Sequence, residues 1–204
     1  MPEITLRPAC DADADAMLRV YAPYVTDTTA SWEYEPPSRA EFARRLREHL
    51  GAGFPWLVAE ENGVVLGYAY AGPLGGRRGF DWDAETTVYL DAAAHRRHIG
   101  TALYTALLSL LAAQGYVNCY ALITDPNPAS AAFHRRMGFA EAALLPCSGY
   151  KHGRWIGLFY YHKALCVPPE RPSPPIPATA LDGVWVAQRL QSAARLCAQT
   201  EDAR

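Results

Sequence analysis

Between Gly100 and Gln114, leucines at 103, 107, 110 and 111 recur at helical spacing, and strand-like segments stand on both sides. A helix this apolar must lay its stripe on another layer, so the flanking strands have to supply a sheet for it to cover. The upstream segment, residues 84–90, is rich in β-branched and aromatic residues, and residues 117–123 read as the next strand. Gly115 supplies the C-terminal stop of the helix.

The remaining punctuation follows the same logic. Ile4, Leu6 and Pro8 alternate with polar residues and predict a short edge strand. Asp11 is placed to cap a helix carrying Met17, Leu18 and Tyr21. Ser38 caps a second helix, with Glu41 at the capping-box position and Phe42, Leu46 and Leu50 on one face. Residues 56–60 and 64–71 read as strands joined by an Asn62-Gly63 hairpin turn, and residues 73–79 as a Gly-rich loop. Residues 128–137 form a helix that opens on Pro128 and ends at Gly138-Phe139; residues 142–145 and 155–163 are closing strands. The order predicts an α/β domain with a mixed sheet.

Composition changes after Leu165, which divides the chain into residues 1–165 and a segment 166–204 that begins as a Pro-rich linker. Within that segment, residues 181–199 read as a helix with Val186, Leu190 and Cys197 on one side, packed on the domain or on a partner, or equally as a frayed tail.

Charge and cysteine usage exclude several classes. The formal net charge is -2, without the clustered basic excess that nucleic acid requires. Arg44, Arg45 and Arg47 alternate with Glu41 and Glu48, as on a solvated ion-paired face. The five cysteines are widely spaced, odd in number and without a C-x-x-C pair, which argues against a disulfide framework or a metal site and for a reducing compartment. No apolar run of about 18 residues suggests a membrane span, and no apolar leader precedes Arg7; a cytoplasmic protein is expected.

Two segments carry chemistry. The first is His95-Arg96-Arg97-His98-Ile99-Gly100, between the strand ending at Leu90 and the leucine-striped helix. Unpaired N–H groups and the positive dipole end at a helix N-terminus attract phosphate oxygens. By spacing alone, the segment reads equally as an anion site and as an ordinary loop with solvated charges. The second runs from Asn127 to Phe139: Asn127 is a helix cap, Phe133 and Met137 are core, and His134 sits on the helix.

In this order and spacing, the two segments resemble the GNAT superfamily of N-acetyltransferases, in which a Q/R-x-x-G-x-G/A loop precedes a helix and an Asn, an aromatic or His, and a Gly-Phe follow. Residues 4–9, 34–37, 55–60, 67–73, 87–89 and 149–153, with Asp81-Trp82 and Ala84-Glu85, narrow the resemblance to its phosphinothricin and methionine-sulfoximine acetyltransferase branch, over about residues 3–165.

The resemblance implies the GNAT fold, a mixed, mostly antiparallel sheet flanked by helices. It further implies acetyl-CoA as cosubstrate without a metal, a homodimer, and acetylation of the amino group of a small amino-acid-like molecule. It assigns Glu85 as general base and His134, with a pKa near neutrality, as the group serving the departing thiolate. Acetyl-CoA would lie against Val88, Tyr89 and Leu90, with the Leu90 N–H facing the thioester carbonyl. The loop His95, Arg96, Arg97, His98, Ile99, Gly100 and Thr101 and the side chain of Asn127 complete that surface. Substrate would meet Trp32, Arg77, Thr87, Tyr89, Tyr150 and Lys151, the last two in a loop with His152. Independently of the resemblance, the two-residue strand period puts Glu85, Thr87 and Tyr89 on one face.

Four positions depart from the pattern: His95 and His98 in the pyrophosphate loop, where Gln or Arg and a glycine are usual, Gly75 for a lysine, and Thr124 for a glycine beside the substrate. They leave open an acetyltransferase for another small amine, and a CoA-binding module that has lost catalysis.

Overall fold

The computed structural model describes residues 3–198 of the 204-residue chain. Seven strands, β1 (Ile4–Pro8), β2 (Trp56–Glu61), β3 (Val64–Pro73), β4 (Asp83–Leu90), β5 (Asn118–Asp125), β6 (Ala140–Lys151) and β7 (Arg154–Ala164), form one sheet in the order β1-β2-β3-β4-β5-β7-β6. Every neighbouring pair is antiparallel except β4 and β5. This is the mixed sheet that the element order predicts, and the mostly antiparallel one that the resemblance implies. Asn62 and Gly63 take the left-handed conformation that a tight hairpin turn demands, with φ of 52° and 77°.

Strand alternation sorts the core into two layers. Trp56, Val58 and Tyr68 face α1 (Ala14–Thr26) and α2 (Arg39–Gly51), which bury Met17, Val20, Val25, Phe42 and Leu46 on them. Leu57, Ala59, Ala69 and Ala71 face the opposite way, onto α3 (Ile99–Gln114), whose Leu103, Leu107 and Leu111 are fully buried. Each such leucine contributes about 1.5–3 kcal/mol. Ser38 caps α2 by accepting from the Glu41 N–H. The cap expected of Asp11 falls elsewhere: residues 11–13 form a 3-10 turn, and Asp13 accepts from the Cys10 N–H while its carboxylate pairs with Arg7.

The feature that positions the site is a fork. β4 and β5 pair only at Asp83↔Asn118, Ala84↔Cys119 and Glu85↔Tyr120. Beyond that point, β4 stays with β3 as far as Leu90 and β5 stays with β7 as far as Asp125, so the two strands part. The last rung comes from a side chain: the Thr86 hydroxyl donates to the Tyr120 carbonyl over 3.1 Å. The helix α4 (Pro128–Arg136) follows β5.

The segment after Leu165 folds back on the domain. The Trp82 indole N–H donates to the Ser173 carbonyl, and the Gln114 amide donates to the carbonyls of Gly53 and Ile176. The helix α5 (Gly183–Ala194), capped by Asp182, buries Leu190 and Ala193 in the α3 layer. The helix expected over residues 181–199 therefore docks on the domain; Gln199 lies outside the described residues. Among the described residues no helix is long and apolar enough to cross a membrane, and no group of His, Cys, Asp and Glu is placed to hold a metal ion.

Candidate active site

The fork opens into a cleft of about 660 Å³, walled by residues 86–90 of β4, residues 121–124 of β5, the loop and first turn of α3, and α4 with its Asn127 cap. Its geometry begins with main chain. The Asp91 N–H closes the β3 ladder on the Leu66 carbonyl, whereas the Leu90 N–H turns away from β3 to the Tyr24 hydroxyl, 3.3 Å away. Antiparallel pairing alternates these directions, so the Val88 N–H turns the same way as that of Leu90. Tyr24 returns its own proton to the Leu90 carbonyl over 2.7 Å. Sequence reasoning missed Tyr24. It stands three residues after Tyr21 on α1, and both rings meet Tyr89 edge-on at 4.9 Å, so the pair reads as core packing. At the other side of β4, an added Cβ on Gly67 would lie 2.5 Å from Leu90 Cδ2 and 2.8 Å from the Tyr89 carbonyl, so only glycine fits behind that end of the strand.

The mouth of the cleft is the α3 N-terminus. Its first i→i−4 bond runs from the Ala102 N–H to the His98 carbonyl, which leaves the Ile99, Gly100 and Thr101 N–H groups ahead of it. His98 is left-handed, with φ 56°, the backbone region where a glycine would sit without strain. Gly100 is a close cradle: an added Cβ would meet Leu90 Cδ1 at 3.3 Å and Phe133 Cε2 at 3.5 Å. His95, Arg96 and His98 line the cleft, and His95 Nε2 lies 3.5 Å from the Tyr24 hydroxyl. The Arg97 side chain does not join them. It pairs with Glu61 and lines a second cavity between β1 and α5, which corrects its expected place beside the cofactor.

The two expected catalytic residues occupy different faces. Glu85 shares the α1/α2 face of β4 with Thr87 and Tyr89. It sits at the closed end of the fork, on the last paired rung and outside the cleft wall that Thr87 and Tyr89 help to form. Burial raises its pKa. His134 is on the α3 side, 4 % exposed and ringed edge-on by Tyr104, Phe133 and Phe139. Its Nδ1 lies 2.8 Å from the Ser130 carbonyl, so Nδ1 carries the proton. Nε2 is left as the acceptor facing the Tyr104 hydroxyl, 2.9 Å away. Burial pulls the imidazole down to about 4, against the Ser130 carbonyl, which acts in the opposite direction. The near-neutral titration expected of His134 is therefore corrected; the ring is neutral at pH 7. The same Tyr104 hydroxyl is 3.2 Å from the Thr86 hydroxyl, so its one proton has two alternative acceptors, His134 Nε2 on α4 and Thr86 Oγ1 at the fork.

Asn127 caps α4, its side-chain oxygen accepting from the Ser130 N–H over 3.1 Å, and it also lines the cleft. Thr124, on β5, lines the cleft at 3 % exposure, and its hydroxyl finds no hydrogen-bond partner among the described residues.

The expected substrate residues are only partly assembled. Arg77 is exposed on the β3–β4 connection and lines neither cavity. Tyr150 and Lys151 are the last residues of β6 rather than part of a loop; His152 and Gly153 make the turn. The Lys151 ammonium does not point at a substrate. It is buried, 2.7 Å from each of the Val25 and Ser31 carbonyls. Beside it the Trp32 ring rests on Gly149 so closely that an added Cβ would lie 2.0 Å from Cζ3. The Tyr34 hydroxyl donates to the Tyr150 carbonyl, and His152 Nε2 is 3.2 Å from the Thr28 carbonyl. The α1–α2 connection carrying Trp32 is thus stitched to the β6–β7 hairpin, with Lys151 as the buried strut.

Comparison with known proteins gives a consistent result. Residues 6–158 match the acetyltransferase (GNAT) domain family. The chain is 37 % identical over 174 residues to a phosphinothricin N-acetyltransferase of Streptomyces viridochromogenes, covering 85 % of this chain and 94 % of that protein. It is 34 % identical over 171 residues to an L-methionine sulfoximine/L-methionine sulfone acetyltransferase of Pseudomonas aeruginosa, covering 83 % and 98 %. The crystal structure of a phosphinothricin acetyltransferase from Sinorhizobium meliloti in complex with acetyl-CoA superposes with a TM-score of 0.79 at 34 % identity, covering 86 % of this chain and 98 % of that one.

Proposed function

This chain belongs to the GNAT acetyltransferase family and is an acetyl-CoA-dependent N-acyltransferase; we propose that it acetylates the amino group of phosphinothricin, methionine sulfoximine or a closely related amino acid. The observation that carries this reading is the fork: inward-turned N–H groups of Val88 and Leu90 along one wall and a helix N-terminus at the mouth, all in one cleft. The cleft suits acetyl-CoA. The β4 edge offers N–H groups that β3 does not take to its amide arm, the Gly100 cradle admits close approach, and the first turn of α3 offers N–H groups to its pyrophosphate. When bound, acetyl-CoA supplies the thioester.

Glu85 accepts the proton that the substrate ammonium must lose. Its raised pKa brings a carboxylate closer to working pH, where general bases are most effective. The Leu90 N–H donates to the thioester oxygen as negative charge grows there. As the C–N bond forms and the C–S bond breaks, the second proton of the attacking nitrogen passes to the departing CoA thiolate; His134, neutral and fixed by Ser130 and Tyr104, orders the buried polar chain along the cleft. Arg77, exposed, receives the substrate's anionic group; an unchanged KM for anionic amino acids in Arg77→Ala removes that role. The left-handed path at His98 supports retention of the cofactor loop despite the missing glycine.

Residues 1–165 form the catalytic unit and residues 166–204 its appendage. A homodimer is supported by the exposed apolar residues of the β6–β7 hairpin, where Leu144, Leu145, Tyr150 and Trp155 stand open; a monomer mass in sedimentation at micromolar concentration refutes it. Five free cysteines fit a reducing, cytoplasmic setting, which cell fractionation checks.

The test is CoA release with acetyl-CoA and a panel of phosphinothricin, methionine sulfoximine, methionine sulfone, the common amino acids and a polyamine. Turnover on the first three supports the reading, and silence across the panel refutes it. Glu85→Gln is expected to lose most of kcat while still binding acetyl-CoA; near-wild-type turnover at neutral pH excludes Glu85 as base.

A further inference from the structure

We propose that the Thr124 hydroxyl is a substrate-contacting group that accepts a hydrogen bond from the incoming amino group and sets which amines react; this rests on the acetyl transfer proposed above. The argument begins with strand parity. Cys119, Ala121 and Ile123 point into the α3 layer, so Tyr120, Leu122 and Thr124 point to the opposite face. The Glu85↔Tyr120 pairing puts Glu85, Thr87 and Tyr89 on that same face across the fork. Thr124 is four residues beyond Tyr120 as Tyr89 is four beyond Glu85, so Thr124 and Tyr89 stand at matching levels on the two arms of the opening.

At that level the Thr124 side chain is buried, lines the cleft and has no partner for its hydroxyl among the described residues. By contrast, Thr86, which also lines the cleft, is engaged: its hydroxyl donates to the Tyr120 carbonyl. Buried polar groups are hydrogen-bonded as a rule, and one left over on the wall of a cleft is a candidate contact for a ligand atom. The hydroxyl can accept on two lone pairs as well as donate its one proton, and an amine nitrogen supplies the matching donor. A substrate ammonium that has lost one proton still has N–H bonds to offer on that face. A hydrogen bond from nitrogen to Thr124 then aims the remaining lone pair along the fork. No covalent change is asked of Thr124; it is a contact, not an acid or base.

The experiment compares Thr124→Val, which keeps the shape and removes the hydroxyl, with Thr124→Ser, which keeps the hydroxyl. CoA release is measured while amine and acetyl-CoA are varied in turn, and each variant is melted. Thr124→Val is expected to lower kcat/KM for the amine about tenfold, to leave KM for acetyl-CoA unchanged, and to melt no lower than wild type because it removes an unpaired buried hydroxyl. Thr124→Ser is expected to restore kcat/KM. A Thr124→Val enzyme with wild-type kcat/KM, or one whose loss lies in KM for acetyl-CoA, overturns the role of Thr124 while leaving acetyl transfer intact. So does a Thr124→Ser enzyme as impaired as Thr124→Val. A wild-type protein that releases no CoA with any amine overturns both.

Discussion

Replacing Lys151 by methionine tests whether one buried ammonium holds the wall of the substrate side. In the folded protein its Nζ donates to the Val25 and Ser31 carbonyls at 2.7 Å each, with the residue 2 % exposed. Methionine fills much of the same volume but leaves both carbonyls without a donor. An unpaired buried carbonyl costs about 1–3 kcal/mol; two of them cost about 2–6 kcal/mol before any offset. The offset is the desolvation of the ammonium, which methionine no longer requires. A net loss of about 3 kcal/mol follows, and for a chain of this size about 2–4 °C accompanies each kcal/mol, so the melting temperature is expected to fall by about 6–12 °C. The kinetic signature is narrower. Lys151 joins the α1–α2 connection to the β6–β7 hairpin, so KM for the amine rises severalfold while KM for acetyl-CoA, whose proposed surface at the α3 N-terminus does not include Lys151, stays put. Differential scanning calorimetry and initial rates with each substrate varied supply the two readouts. A Lys151→Met protein that melts within about 2 °C of wild type with an unchanged KM for the amine refutes the strut.

Two further outcomes follow from backbone and titration. His98→Gly relieves a left-handed non-glycine residue, a strain of about 1–2 kcal/mol that the extra freedom of glycine partly cancels; a rise in melting temperature of about 1–4 °C is expected, and a fall shows that the His98 ring makes contacts worth more than the strain. His134 is held near 4 in the fold and titrates near 6.5 when unfolded. Between those values the unfolded chain binds the extra proton, so His134 contributes a loss of stability that starts as pH falls below 6.5, deepens toward 4 and is absent above 6.5. The full effect is about 3 kcal/mol. The difference in unfolding free energy between wild type and His134→Gln, followed from pH 7 to 4, should therefore shrink; parallel curves contradict a neutral buried ring.

Much of the scaffold was legible because its signals are local. The α3 stripe with its Gly115 stop, the Ser38 cap and the Asn62-Gly63 turn are each set by residues within a few positions of one another. So is the pairing of Thr87 and Tyr89 on one strand face. What escaped depends on chain segments that meet only on folding. Lys151 reads as a surface or substrate cation until β6 carries it to carbonyls more than 100 residues upstream. Arg97 lies in a basic loop, yet Glu61, at the end of another strand, draws its side chain to the far side. The His134 titration depends on three aromatic rings and a helix packed around it, none of which alters the local motif. The fork is implied by the resemblance alone and leaves no local signal, because it consists of rungs that two ordinary strands do not form.

The hydroxyl of Tyr24 has a consequence for selectivity between ground state and transition state. In the free protein it already occupies the Leu90 N–H. A thioester carbonyl arriving there, as the proposed mechanism requires, replaces one neutral oxygen with another and gains little from the exchange. Only when the oxygen becomes charged does it outbid the hydroxyl, since hydrogen bonds to ionised acceptors are roughly twice as strong. A resident placeholder thus subtracts the uniform part of the interaction and leaves the part that grows along the reaction coordinate, which is the only part that accelerates a chemical step.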